Sequence, residues 1–206
     1  MTTRIASGPM PTTRVRAGLY ALKPWYARRL TPARTWLVTR QVHPDLVSAA
    51  GVAAGAAGGL ALAGLHPGPL AGLVVAVALA ARLGCANLDG GLARERGISS
   101  VRGAVVNELG DRTAELAALA GVVALAPSWL VLLAALCASA PSWIALAGAA
   151  AGRPRIQGGP VGKTERVALL VAIAFTGWAS ALVAVLAAGS LLTAGVRLAR
   201  LVRTER

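Results

Sequence analysis

Five of the eight acidic residues in this chain, Asp89, Glu95, Glu108, Asp111 and Glu115, fall between positions 89 and 115. Carboxylates are costly to bury among apolar side chains unless paired or bound to a cation, which makes each a functional candidate. Asp89 is followed by Gly90 and Gly91, and Asp111 is preceded by Gly110 and, two turns earlier, by Gly103. Glycines in these places let a ligand or another backbone come close. Carboxylate oxygens around a concave site are what Mg²⁺ or Mn²⁺ takes as ligands, and such a cation neutralises a diphosphate and its leaving group during displacement. Asn107, Asp111 and Glu115 recur every four residues on one helix face, a polar stripe offering a second register for a cation. Glu95 and Glu108 read instead as loop or helix-interface residues.

The elements that position these groups follow from composition. Of 206 residues, 56% are hydrophobic, and the mean hydropathy is +0.64. This is far too apolar for an ordinary soluble domain. A bilayer crossing needs about 20 predominantly apolar residues, and apolar segments recur at 46–65, 69–93, 103–125, 128–150, 164–176 and 178–201, the last pair divided at Gly177. The expected fold is all-α: a polytopic membrane protein with six transmembrane helices, preceded by an amphipathic interfacial helix. Residues 1–22 read as a disordered cytoplasmic lead, 23–42 as the interfacial segment, 43–202 as the membrane domain and 203–206 as a cytoplasmic tail. Trp25, Tyr26 and Trp36 mixed with Arg28, Arg29, Arg34 and Arg40 give the interfacial segment its character. Asp89 and Asp111 then sit at similar depth, near the cytoplasmic end of the second helix and two turns into the third.

The chain carries 21 Lys plus Arg and a formal net charge of +13. The basic residues cluster before the first apolar segment, between the second and third, between the fourth and fifth, and after the sixth. The connections at His66–Pro69, Pro127–Ser128 and Gly177 have none. That alternation is the positive-inside pattern, and it places both termini in the cytoplasm of a multi-pass protein of the cell membrane. Anionic-lipid attraction follows from the same charge. No basic stripe interleaved with aromatics supports a nucleic-acid partner. Cys85 and Cys137 lack a CxxC spacing and read as small packing residues. The serines lack the His/Asp partners of a hydrolase triad. No broken-helix inverted repeat favours a transporter. Gly51, Gly55 and Gly59 mark a helix face for close packing in lipid.

The run Asp89-Gly90-x-x-Ala93-Arg94, then eight residues to Gly103, three to position 107 and three to Asp111 resembles the signature of the CDP-alcohol phosphotransferase family, D-x-x-D-G-x-x-A-R-x8-G-x3-D-x3-D. Pro44-Asp45-Leu46-Val47-Ser48 and Gly162-Lys163-Thr164-Glu165-Arg166 are similar to further family features. The resemblance implies six transmembrane helices. It also implies a reaction in which the hydroxyl of an acceptor alcohol attacks the phosphorus of a CDP-linked lipid and CMP leaves, as in phospholipid biosynthesis.

Carried over by position, Asp89 is an implied metal ligand and Asp111 the implied general base and a second ligand, with Mg²⁺ or Mn²⁺ as cofactor. Asn107 is a weaker donor, and Glu115 a donor only in the shifted register. Asp89, Gly90, Ala93, Arg94 and Gly103 are implied to line the nucleotide and diphosphate site. Lys163, Arg166, Arg153, Arg155 and Arg197 are candidates for acceptor or lipid phosphates. The family habit, with the glycine-rich faces, implies a homodimer. Two positions depart from the signature: its first aspartate falls on Ala86 and its third on Asn107. Ala has no ligand atom, and Asn adds no negative charge. The departures leave a second reading beside the transferase, a catalytically impaired or inactive relative that binds lipid or nucleotide or supports a partner. Without the family, Asp89 reads as a helix-end carboxylate paired with Arg94 or Arg82, and Asp111 as paired locally with Arg112 or with another helix.

Overall fold

A computed structural model describes residues 28–203; the lead at 1–22, residues 23–27 of the interfacial segment and residues 204–206 lie outside the described residues. Among the described residues the bounded α-helices run in chain order: α1 Thr31–Thr39, α2 Pro44–Gly64, α3 Pro69–Glu95, α4 Val101–Ala120, α5 Ser128–Ala150, α6 Lys163–Thr176 and α7 Ala179–Arg203. A 3₁₀ turn, Gly121–Ala124, extends α4. There is no strand among the described residues.

The helix limits have local causes. Pro44 opens α2 at a position where its missing N–H costs nothing, and the His43 ring accepts from the Asp45 N–H at 3.2 Å. Ser100 Oγ accepts the Gly103 N–H at 3.1 Å and caps α4. Glu165 reaches back to the Gly162 N–H at 3.0 Å and caps α6. Gly177, at φ 73°, ends α6 in the left-handed region and divides the last apolar stretch.

Four helices, α2, α3, α5 and α7, are long and apolar enough to cross a membrane. The remaining two long elements are different. α4 carries Asn107, Glu108, Asp111, Arg112 and Glu115, and α6 has only 14 residues, about 21 Å at 1.5 Å per residue. Large apolar side chains point outward, among them Leu60, Leu73, Val77, Trp129, Leu132, Leu136 and Leu192. Small ones fill much of the interior, such as Ala71, Ala114, Ala118, Ala134, Ala138 and Ala174. Lipid rewards that arrangement, because close helix approach rather than water exclusion holds the bundle together.

α2 packs chiefly against α3 and α4, α5 against α7, and α3 against α6. The glycine face of α2 explains the first of these contacts. A Cβ on Gly55 would lie 2.6 Å from the Ala114 carbonyl oxygen, and one on Gly59 2.2 Å from that of Ala117. Both spacings are closer than real Cβ atoms come, so the backbones of α2 and α4 meet at these two residues. α1 contributes no buried residue. It is held to the end of α3 by the Arg34–Glu95 ion pair at 2.9 Å. Arg96 adds hydrogen bonds to the Gln41 and Val42 carbonyls at 3.2 and 2.7 Å.

Gly59→Val is expected to separate α2 from α4 and destabilise the protein by about 1–3 kcal/mol, the usual cost of overpacking. Thermal unfolding of the detergent-solubilised variant checks it, and an unchanged midpoint would refute the contact.

Candidate functional site

The polar stripe of α4 meets a different partner at each turn. At the shallow end, Asp89 of α3 is 4% exposed and accepts from Ser48 Oγ of α2 at 2.8 Å, from the Gly90 N–H at 2.6 Å and from Asn107 Nδ2 of α4 at 3.2 Å. One turn deeper, Asp111 accepts from Lys163 Nζ at the start of α6. Arg82 of α3 donates from Nη2 to the Asp111 carbonyl oxygen at 3.0 Å and lies 3.7 Å from its Oδ1. A further turn on, Glu115 is held by Arg166 of α6 and by Arg112.

Ser48, Arg82, Ala86, Asp89, Asn107 and Asp111 line one small pocket together with neighbouring glycines. Its free space is about 10 Å³, close to what one water needs, so a larger ligand would meet its rim. Arg94 folds back there: a Cβ on Gly90 would lie 3.3 Å from Arg94 Nη1 and 3.7 Å from Asn107 Nδ2. Gly103 sits in the first turn of α4 beside its Ser100 cap. Helix N-terminal amides favour anionic groups.

The expected site residues thus divide. Asp89, Asn107, Asp111 and Lys163 come together, with Gly90 and Arg94 at the rim. Glu115 lies against a second pocket with Lys163 and Arg166, paired with arginines as described. Arg155 pairs with Glu108. Arg197 donates to the carbonyls of Gly158 and Pro141 at 2.9 and 2.7 Å, tying the α5–α6 connection to α7. Arg82 and Ser48 were not among the expected site residues. Arg82 carried a signal, a charge inside an apolar segment that must find a partner. Its partner is Asp111 rather than Asp89, and Arg112 serves Glu108 and Glu115 instead.

The profile of the CDP-alcohol phosphatidyltransferase family matches residues 41–196. The chain belongs to this family. Among solved structures it is similar to the phosphatidylinositol phosphate synthase PgsA1 of Mycobacterium tuberculosis with CDP-DAG bound, at 26% identity and TM-score 0.67, covering 84% of this chain and 94% of that one. The same synthase in complex with manganese and citrate matches at 25% identity and TM-score 0.66, over 83% and 88% of the two chains. The inner membrane protein YnbA of Escherichia coli K12 is 33% identical over 99 residues, 48% of this chain and 49% of the relative. The chain thus spans about half the length of that relative.

Family members use divalent metals, and the donor set here fits one poorly. Position 86 offers a methyl group. Asn107 turns its N–H toward Asp89, because beside an ionised carboxylate an amide presents its donor and directs its oxygen elsewhere. Asp111 is already matched by Lys163 and approached by Arg82. No group of three or more His, Cys, Asp or Glu side chains suited to a metal occurs among the described residues.

The Glu115–Arg166 pair makes a stability prediction. Arg166→Met leaves a buried carboxylate short of its main partner and is expected to cost about 3–5 kcal/mol, while Arg166→Met with Glu115→Leu recovers most of the loss. Equal destabilisation of single and double variants in unfolding experiments would contradict the pairing.

Proposed function

We propose that the protein is a membrane phosphotransferase that moves a phosphatidyl-type group from a CDP-linked lipid to an alcohol and releases CMP. The observation that carries this reading is the convergence of Asp89 and Asp111 at one pocket, with Arg94 beside Gly90, in family spacing and on a family fold. The solved relative with CDP-DAG bound supports the donor class.

In the proposed reaction, the CDP-linked lipid lies at the mouth of the pocket with its diphosphate toward Arg94 and the first turn of α4. The acceptor hydroxyl reaches Asp111, whose carboxylate takes the proton as the hydroxyl oxygen bonds to the lipid-side phosphorus. The bond from that phosphorus to the bridging oxygen breaks, and CMP leaves with its electron pair. Lys163, on the other Asp111 oxygen, orients the base. Asp89, held by Ser48, Asn107 and the Gly90 amide, shapes the pocket wall. Arg153, Arg155, Arg166 and Arg197 have partners within the protein. A phosphorylated acceptor whose hydroxyl reaches Asp111 would meet Lys163 on the other oxygen of that carboxylate.

Six crossings with both ends cytoplasmic complete the proposal, supported by the charge alternation and by the four long apolar helices, with α4 and the shorter α6 between them in sequence. α4 and α6 are then the crossings lined by the site, each turning its polar face inward and apolar side chains such as Leu109 and Phe175 outward. A periplasmic-type phosphatase fused after residue 203 is expected to be inactive, and the same enzyme inserted at 66–68 active. The reverse pattern would overturn this topology.

One observation favours the second reading, a relative that binds the donor without turning it over: the carboxylates missing at positions 86 and 107. Purified protein in lipid nanodiscs, given CDP-diacylglycerol and a panel of glycerol phosphate, inositol phosphate and serine, separates the two. The transferase reading expects CMP release with at least one acceptor, reduced about 100-fold or more by Asp111→Asn. CMP release only after Arg82→Met, Ala86→Asp and Asn107→Asp together would establish the second reading. None from either protein would sink phosphotransfer altogether.

A further inference from the structure

Arg82 lies one turn before Ala86 and two turns before Asp89, on the same face of α3. It is 3% exposed and lines the pocket beside Ala86. Its Nη2 serves Asp111, and its Nε has no hydrogen-bond partner among the described residues. A buried donor left unmatched is rare, and it marks a place where an acceptor belongs. Lys163 approaches the other Asp111 oxygen from α6.

The pocket therefore holds two carboxylates, Asp89 and Asp111, and the Arg82 guanidinium, while Lys163, which lines the neighbouring pocket, adds a second cationic group on Asp111. Its charge is near balance before any ligand enters. Four carboxylates, as in the family signature, need two divalent cations to reach the same balance. A divalent cation added to this site would stand beside a guanidinium and an ammonium in a poorly polarisable interior, where like charges repel strongly. Its remaining ligands would come from two aspartates that already accept hydrogen bonds, and from an amide that donates.

We propose that Arg82 and Lys163 are the resident cations of this site and replace the divalent metal, so that the protein engages the diphosphate of a CDP-linked lipid without one. This rests on the family-based donor assignment above. The guanidinium suits the role: it is permanently charged, weakly hydrated and able to give several N–H donors to phosphate oxygens. Ala86 is part of the device. Its small side chain leaves room for Arg82 along the helix face, whereas an aspartate there would hold the guanidinium as its own ion pair.

The test uses the full-length protein in nanodiscs after EDTA treatment. Mn²⁺ binding is followed by electron paramagnetic resonance, and donor binding by the thermal shift that CDP-diacylglycerol produces in EDTA and in Mg²⁺. The expected results are no stoichiometric Mn²⁺ site in the wild type and equal shifts in the two conditions. The variant carrying Arg82→Met, Ala86→Asp and Asn107→Asp should bind Mn²⁺ at least about 10-fold more tightly. Arg82→Lys keeps the charge and should still exclude Mn²⁺, which covers the case where the triple variant does not fold. Stoichiometric Mn²⁺ binding by the wild type, or a donor shift seen only with metal, overturns the proposal. The absence of any donor shift in both conditions defeats the donor assignment instead, and the Mn²⁺ titration of the wild type then decides the resident-cation assignment by itself.

Discussion

Along α4 the residues at 107, 111 and 115 descend into a bundle whose interior is otherwise mostly apolar, and each must be matched where it stands. Nothing in hydrocarbon can solvate an unpaired carboxylate, so the matching groups dictate how the neighbouring helices are set. Asn107 looks across to Asp89 and, through it, to Ser48 on α2. Asp111 draws Arg82 from α3 and Lys163 from α6, and Glu115 draws Arg166. Three successive turns of one helix thereby tie down three others. A one-residue slip of α4 would rotate the stripe by about 100° and leave every one of these groups unmatched.

These matches need short distances between backbones, which the glycine face of α2 provides. Gly55 and Gly59 bring α2 against the α4 backbone at Ala114 and Ala117, and Gly51 sits against Cys85 of α3. With α2 that close, a serine side chain spans the distance to Asp89. The packing and the polar ladder thus depend on each other: a bulkier α2 would disengage Ser48, and an unmatched ladder would remove the reason for so close an approach.

Much of this was legible in the sequence because it depends on local pattern. Apolar segments bounded by proline and glycine anticipate the helices within a few residues, including the division at Gly177, where the left-handed backbone requires glycine. The four-residue glycine spacing on α2 anticipates a packing face. The family spacing brings Asp89, Asn107 and Asp111 to one place. Partner choice was not legible. Arg82 has Asp89 seven residues away and Asp111 twenty-nine residues away, and helix rotation, which no local pattern encodes, selects the distant one. Arg155, Arg166 and Arg197 read as free basic groups in the sequence, yet each meets a carboxylate or carbonyl that the tertiary fold presents.

The two signature departures and Arg82 are best understood together. An aspartate at 86 would stand one turn from Arg82, at the spacing where opposite charges on a helix pair. It would neutralise the guanidinium before any metal arrived, and Asp111 would lose a partner. An aspartate at 107 would face Asp89 within hydrogen-bond distance, and two such carboxylates need a proton or a cation between them. Each single restoration therefore creates a new imbalance, and effects at these positions cannot be additive. Ala86, Asn107, Arg82 and Lys163 form one internally balanced arrangement, and a return to the metal-holding arrangement requires changing Arg82, Ala86 and Asn107 together.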